Sequence, residues 1–324
     1  MKLWPTGQAR GLFRTSTASM HPQGSPHISS FLAALNDGSD RVLTVNGIFR
    51  NHVYLHYPSN RACDPGMMVL TRAGAAFGPL SLEVADLDAL PLFPRQQGSW
   101  RDGAIQMGSA SLEIASAMIV DTAVCRPDVR EDRPRLWLSL FDQLSRWISC
   151  AETPSTVIAE LLDDGPSDPA AMAVDQMLRS GVRRCDPALL AGATLSLAGL
   201  GQGLTPSGDD FLAGLMMAAF GNLDDPSSIC LPVLEAARGR TSDLSWAFLH
   251  AAAHGHATAP WRALIRTADA PFALAACCDA IVRYGASSGE DMLCGFMWGL
   301  QAIHDHPHRR FIVPLHALSG SSRV

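Results

Sequence analysis

The chain has 324 residues, and its length, composition and charge restrict what it can be. Hydrophobic residues make up 47% and charged residues 17% of it, below the roughly 25% charged residues of an average globular domain, which excludes a disordered chain. The formal net charge of −6 argues against a general nucleic-acid binder, because such proteins carry a basic surface. Lys2 is the only lysine, which excludes lysine Schiff-base chemistry and a P-loop lysine.

Short strand-like segments fill the first part of the chain. They are VLTV at 42–45, VYLH at 53–56, MVLT at 68–71 and LSLEV at 80–84. Glycine, proline or asparagine residues separate them at a spacing of roughly ten residues, which is typical of hairpins in a small antiparallel sheet or barrel. Residues 105–120 are compatible with a last strand or, in their second half, with a helix.

After residue 133 the apolar period becomes helical. One apolar stripe of an amphipathic helix comprises Trp137, Leu140, Phe141, Leu144, Trp147 and Ile148. Capping and proline signals predict further helices at 154–163, 168–180, 187–198, 208–221, 230–238, 243–254, 271–284 and 289–304. The predicted fold class is therefore α+β, with an N-terminal strand-rich region, a small antiparallel sheet or barrel, followed by a mainly helical domain.

This change of period also divides the chain. We predict an N-terminal arm at 1–26, a strand-rich domain at 27–130, a helical domain at 131–306 and a tail at 307–324. Residues 1–19 lack the apolar segment of a secretory signal, and no run of about 18 apolar residues predicts a membrane span. The eight cysteines contain no CxxC pair and are expected to be reduced. We expect a cytoplasmic protein without a membrane or nucleic-acid partner.

Two acidic turns are the most informative feature of the sequence. The segment GQGLTPSGDDFLAG occupies residues 201–214, and its core returns as SGEDMLCG at 288–295. Both copies have the spacing Ser-Gly-acid-Asp-apolar-Leu-small-Gly. Each copy ends on a glycine inside a predicted helix, Gly214 or Gly295, which costs about 1 kcal/mol relative to alanine. Close contact between the two helices would offset that cost, and it would bring their N-termini together.

Two interpretations of these turns remain open. In the structural one, each serine is the N-cap of a helix and the aspartate three residues later completes a capping box. In the functional one, helix N-termini and the glycine-rich loop bind a small anion, and four carboxylates act in catalysis or hold a divalent cation such as Mg²⁺. The catalytic or metal-binding candidates are Asp209, Asp210, Glu290 and Asp291. The substrate-binding candidates are Gly201, Gly203, Thr205, Ser207, Gly208, Arg240, Ser288 and Gly289.

Other polar residues have weaker patterns. His250, His254 and His256 have metal-like spacing, but the glutamate of an HExxH motif is missing, which favours ordinary buried or surface histidines. His52 and His56 alternate on a predicted strand and would line a cleft or lie exposed. For Arg240, an anion clamp and a solvated arginine beside a helix cap both remain possible.

The motif at 201–214 resembles the AllH-type family, a largely uncharacterised group that includes a subunit of bacterial oxamate carbamoyltransferase. Members carry a Gly-x-Gly-Leu-Thr-Pro-Ser-Gly-Asp-Asp-x-Leu-x-Gly segment, and they carry a later Ser-Gly-x-Asp-x-Leu-x-Gly segment, matched here at 288–295. Ala286 stands where the family commonly has a polar residue. The resemblance extends to the strand-like region, while the first forty residues and the tail contribute little to it.

The resemblance implies a partner-dependent enzyme of purine or allantoin catabolism that moves a carbamoyl group between phosphate and the amide of oxamate. Its substrates would be small anions, its partners other carbamoyltransferase subunits, and a homo-oligomer is compatible with it. Asp209, Asp210, Glu290 and Asp291 would then orient a cation or accept a proton from the amide. The alternative is a non-catalytic binding or assembly subunit whose acidic turns are structural, so enzymatic activity remains open at this point.

Overall fold

The computed structural model describes residues 26–59, 61, 64–125, 137, 139–145, 169–266, 271–285 and 287–304. Strands occupy the N-terminal part of these residues and helices the C-terminal part, which confirms the α+β class. Several predictions lie outside the described residues: most of the arm at 1–26, the tail at 307–324, the helix at 154–163, and Trp147 and Ile148 of the apolar stripe. The boundaries at 130 and 306 lie there too, so the division into domains stays a prediction.

The N-terminal part forms one nine-stranded sheet, in the order β8-β7-β6-β2-β3-β4-β5-β1-β9. Neighbouring strands are antiparallel except in the pairs β4–β5 and β1–β9, which are parallel. Side chains alternate between the two faces, as in β3, where the apolar Val53 and Leu55 are buried between half-buried polar neighbours. The strands are β1 (His27–Ser29), β2 (Arg41–Ile48), β3 (His52–His56), β4 (Met67–Arg72), β5 (Ser81–Val84), β6 (Gln97–Arg101), β7 (Ala104–Met107), β8 (Ala110–Glu113) and β9 (Met118–Val120).

The structure corrects one expectation about the sheet. The second half of residues 105–120 is not helical but contains β8 and β9, joined by a short turn. A short helix, α1 (Ser30–Leu35), follows β1 and was not predicted. It begins at Ser29, whose hydroxyl accepts a hydrogen bond from the Leu32 amide.

Eight further helices with described bounds lie in the C-terminal part, close to the predicted positions, and residues 139–145 of the predicted apolar stripe are helical as well. Asp186 shows how the local sequence starts one of them: its carboxylate accepts from the amides of Ala188 and Leu189, and Pro187 occupies the first position. Only the short α7 was not predicted. The helices are α2 (Pro169–Arg184), α3 (Pro187–Leu197), α4 (Ser207–Asn222), α5 (Ser227–Ala237), α6 (Asp243–Ala253), α7 (Ala259–Arg266), α8 (Pro271–Val282) and α9 (Ser288–His304).

Helix α6 joins the two parts of the molecule. Its residues Leu244, Ala247 and Ala251 belong to the hydrophobic core on the sheet, whereas Leu249 and Ala252 belong to the core between the helices. The sheet and the helical bundle therefore meet along α6. None of the helices in the described residues is long and apolar enough to cross a membrane.

Candidate functional site

The two sequence motifs form a pair of matching helical units. In the first unit, α3 leads through a glycine-rich loop into α4, and in the second, α8 leads through a shorter loop into α9. The helices α4 and α9 make the most extensive contact between helices in the described structure. The prediction that the two motif helices pack against each other is confirmed.

The starts of the motif helices differ from the predicted capping boxes. Helix α4 begins at Ser207, its N-cap is Pro206, and no side chain caps it, so the first predicted box is wrong. The Gly208 amide donates to the carbonyl oxygen of Leu200 at 2.8 Å. In the second unit the Gly289 amide likewise donates to a carbonyl oxygen, that of Tyr284, at 3.0 Å. These two amides, expected to bind an anion, are therefore engaged by the backbone.

Close backbone packing explains the glycines at these helix starts. A Cβ atom on Gly208 would lie 2.0 Å from the carbonyl oxygen of Leu197, and one on Gly289 would lie 1.8 Å from that of Ile281. Each motif helix thus begins directly against the end of the helix that precedes it. Gly208 and Gly289 serve this packing, and ligand approach is not needed to explain them.

Asp209 is anchored inside the protein. Its side chain is buried, and Oδ1 accepts a hydrogen bond from the Gly199 amide at 3.0 Å. Oδ2 accepts hydrogen bonds from the hydroxyls of Thr241 and Ser245, the latter at 2.8 Å. Burial raises the pKa of Asp209, and these three hydrogen bonds oppose the rise. Both oxygens of this carboxyl therefore bind protein donors: Oδ1 holds the loop between α3 and α4, and Oδ2 holds the start of α6.

The next residue, Asp210, has a different environment. Its side chain is 8% exposed, and its Oδ2 atom has no hydrogen-bond partner among the described residues. Ser288 and Thr205 hydrogen-bond to the carboxyl, and their two hydroxyl oxygens lie 2.9 Å apart. Burial raises the pKa of Asp210 well above its ordinary value, and the nearby carboxyl of Asp291 adds to the rise. A residue from each motif thus meets at the Asp210 carboxyl.

The other two acidic residues are in the first turn of α9. Asp291 is fully buried and Glu290 is half-buried. Among the described residues, no group of three or more histidine, cysteine, aspartate or glutamate side chains is positioned to hold a metal ion. Asp209, Asp210, Glu290 and Asp291 therefore do not form the predicted four-carboxylate cation site in this structure.

A cavity of about 240 Å³ opens beside Asp210, between the helical bundle and the β4–β5 turn. Thr205, Asp210 and Ser288 form a polar part of its wall, and most of the rest is apolar. The apolar wall comprises mainly Phe77, Met217, Phe248, Trp261, Ile281 and Met292. No arginine or lysine is among the described residues that line it.

The titratable side chains in this wall all favour their uncharged forms. Burial raises the pKa of Asp210 and of the Tyr284 phenol, and it lowers the pKa of His256 to about 4. The His256 Nδ1 atom is 2.9 Å from the hydroxyl oxygen of Thr122, which holds the ring in place. The part of the cavity wall formed by these side chains is therefore of low charge.

Helix α7 contributes residues that the sequence did not single out. Thr258, Ala259, Pro260 and Trp261 line the cavity, so the N-terminal turn of α7 forms part of its wall. The first amides of a helix have no acceptor within the helix and favour a negative charge. The Thr-Ala-Pro sequence before Trp261, with proline in the first turn, is the signal that could have predicted this helix start.

The remaining predicted binding residues lie away from the cavity wall. Gly203 is exposed, and Gly201 is half-buried in the same loop. Ser207 is buried at the first position of α4. Arg240 is exposed, and its guanidinium donates to the carbonyl oxygen of Leu195 at 3.4 Å, near the end of α3. None of these four residues is among the described residues that line the cavity.

The predicted histidines pack around aromatic rings. His250 is fully buried, and its ring stacks on that of His254 with centroids 4.3 Å apart. The ring of Phe31 lies 4.9 Å from that of His256. On the sheet, His52 lies near the carbonyl oxygen of Ala76. His56 lines a second cleft of about 220 Å³ between the β3–β4 turn and the start of α6.

Comparison with known proteins agrees with the motifs. The family model described as oxamate carbamoyltransferase subunit AllH matches residues 197–300, from the end of α3 into α9. The match covers both acidic turns but not the strand region, and Ala286 lies outside the described residues. No solved structure matches the chain. Over residues 197–300, the chain is similar to the AllH-type family.

Proposed function

We propose that this chain is a subunit of an oxamate carbamoyltransferase-like enzyme and that the cavity beside Asp210 binds oxamate. One observation carries the proposal: the family match spans the paired helical units that bring Thr205, Asp210 and Ser288 to the wall of one cavity. Other subunits would be its partners, as the family description implies.

Oxamate has a carboxamide at one end and a carboxylate at the other, and the cavity has a matching feature for each. The carboxamide would lie against Thr205, Asp210 and Ser288, which can both donate and accept hydrogen bonds. The carboxylate would face the N-terminal turn of α7, where amides and the Thr258 hydroxyl favour an anion.

Transfer of the carbamoyl group would need only oxamate and carbamoyl phosphate. The amide nitrogen of oxamate forms a bond to the carbamoyl carbon of carbamoyl phosphate, and the bond between that carbon and the phosphate oxygen breaks. The proton lost by the nitrogen leaves on the phosphate. Because no arginine or lysine is among the described lining residues, we assign phosphate binding to a partner subunit. This chain would orient the accepting amide, a contribution to rate that comes from positioning.

Reconstitution with its partners tests this proposal. The chain is purified together with the proteins encoded by neighbouring reading frames, and phosphate release from carbamoyl phosphate is measured with and without oxamate. We expect oxamate-dependent release by the complex. Thr205→Val should lower kcat/KM for oxamate about tenfold, as expected for the loss of one hydrogen bond. Ser111→Ala, on the exposed edge strand β8, is the control and should change nothing. A complex without oxamate-dependent release would refute the proposal.

A second candidate is a non-catalytic assembly subunit, and the environment of Asp209 favours it. Both carboxylate oxygens of Asp209 accept hydrogen bonds from protein donors, as a purely structural residue would. Under this alternative, Thr205→Val leaves transfer by the complex unchanged. The two candidates therefore differ in the same assay.

A further inference from the structure

The Asp210 carboxyl has an unusual position for an acidic side chain. It is 8% exposed, no arginine or lysine is among the described residues of the cavity wall that it joins, and its Oδ2 atom has no hydrogen-bond partner within the described structure. Its hydrogen bonds come from Ser288 and Thr205. A buried polar atom without a partner destabilises the protein, so a ligand that hydrogen-bonds to Oδ2 would offset that cost.

The groups around Asp210 disfavour a second negative charge. Asp209 precedes it on α4, and the fully buried Asp291 faces it from α9. The Tyr284 phenol, two residues after the end of α8, also interacts electrostatically with Asp210 and has a raised pKa. Across the cavity, the pKa of His256 is lowered to about 4, so this ring is neutral near pH 7. No cation in the described wall would compensate an anion placed beside Asp210.

We infer that the Asp210 part of the cavity selects an uncharged primary carboxamide, held by the Asp210 carboxyl and the hydroxyls of Thr205 and Ser288, and rejects a carboxylate of the same shape. Only one part of this inference rests on the proposed function, namely that oxamate is the natural ligand. The choice of an uncharged group follows from the wall itself and does not require carbamoyl transfer.

The hydrogen-bonding capacity of the three side chains matches a carboxamide. A protonated carboxyl donates one hydrogen bond, which the carbonyl oxygen of an amide can accept. The hydroxyl oxygens of Thr205 and Ser288 can accept from the amide nitrogen. A carboxylate offers no donor to these oxygens, and its charge would lie buried beside Asp210 and Asp291, where an unpaired ion is costly.

The inference also sets the orientation of a ligand that carries both groups. The amide end would lie at Asp210 and the carboxylate end at the first turn of α7, with Thr258. An amide at both ends is acceptable, whereas a carboxylate at both ends is not. Oxamide, oxamate and oxalate form such a series, since they share a two-carbon frame and differ only in these end groups.

Calorimetric titration of the full-length chain with these three compounds tests the inference. At pH 6.5 we expect oxamate and oxamide to bind and oxalate to bind at least about tenfold more weakly. Affinity for oxamate should fall as the pH is raised, because ionised Asp210 can no longer donate. Asp210→Asn keeps an uncharged donor, so it should retain binding and lose this pH dependence. Glu113→Gln, on the exposed edge of β8, should behave as the wild type.

Three results would overturn the inference. One is oxalate binding as tightly as oxamate. Another is loss of oxamate binding in a folded Asp210→Asn variant, which would mean that an ionised carboxylate accepts from the amide. The third is no binding of any of the three compounds. Selective amide binding without carbamoyl transfer by the complex would refute the proposed function and leave this inference standing.

Discussion

Gly214 and Gly295 make reciprocal contacts between the two motif helices. A Cβ atom on Gly214 would lie 1.8 Å from the carbonyl oxygen of Met292, and one on Gly295 would lie 1.9 Å from that of Phe211. Met292 and Phe211 occupy equivalent positions three residues before these glycines in the two motifs. The helices α4 and α9 are therefore related at their crossing by a local two-fold symmetry.

This contact predicts that alanine is not tolerated at either glycine. Gly214→Ala and Gly295→Ala should each lower the free energy of unfolding by about 3 kcal/mol, because the backbones must separate to admit a methyl group. Urea unfolding followed by circular dichroism measures the effect.

Gly192→Ala is the matched control inside a helix. There a Cβ atom would meet the sulfur of Met177 at 2.7 Å, near the end of a flexible side chain that can move. The higher helix propensity of alanine, worth up to about 1 kcal/mol, partly offsets the crowding. Equal losses at Gly192 and Gly214 would contradict the reciprocal backbone contact.

Removing the Asp209 carboxylate should destabilise the fold. Asp209→Ala leaves the Gly199 amide and the hydroxyls of Thr241 and Ser245 without their acceptor. We expect the free energy of unfolding to fall by about 3 kcal/mol, since buried unsatisfied donors are costly. Asp209→Asn should recover part of the loss, because hydroxyls can rotate to accept from the amide nitrogen. A stable Asp209→Ala variant with lost activity would instead indicate a catalytic carboxylate.

The glycine spacing and the helical period were enough to predict the two motif helices and their contact. They could not predict that Asp209 and Asp210 have different environments, because the direction of each side chain depends on the exact residue at which the helix begins. In the structure, α4 begins at Ser207 with Pro206 as its N-cap, whereas the sequence predicted a start at residue 208. Neighbouring side chains on a helix point in different directions, so Asp209 faces protein donors and Asp210 faces the cavity.

The residues of the opposite cavity wall could not be predicted from the sequence either. Phe77 comes from the β4–β5 turn and Trp261 from α7, far from both motifs in the sequence. Their approach depends on how the sheet packs against α6, and neither the alternation of the strands nor the period of the helices encodes that packing. The strands themselves were predictable because Val53 and Leu55 alternate with polar residues.

Replacing Asp210 should stabilise the unliganded protein at neutral pH. The pKa of Asp210 is higher in the folded than in the unfolded chain, so the folded state binds the proton more tightly. Stability is therefore lost as the pH rises from the unfolded toward the folded pKa. Asp210→Asn does not ionise, so its free energy of unfolding at pH 8 should exceed that of the wild type by on the order of 1 kcal/mol. The difference should shrink toward pH 4 in urea unfolding curves, and a variant less stable than the wild type at pH 8 would contradict the assignment.

His256 should give the opposite pH dependence. Burial lowers its pKa to about 4 in the folded protein, below the ordinary 6.5 of the unfolded chain, so acidification protonates the unfolded chain first. The contribution of His256 to stability should therefore be lost between pH 6.5 and 4, by up to about 3 kcal/mol. His256→Gln removes this titration, so its urea unfolding midpoint should fall less than that of the wild type over this range. Parallel pH profiles would show that folding does not lower the pKa of His256, which contradicts this assignment.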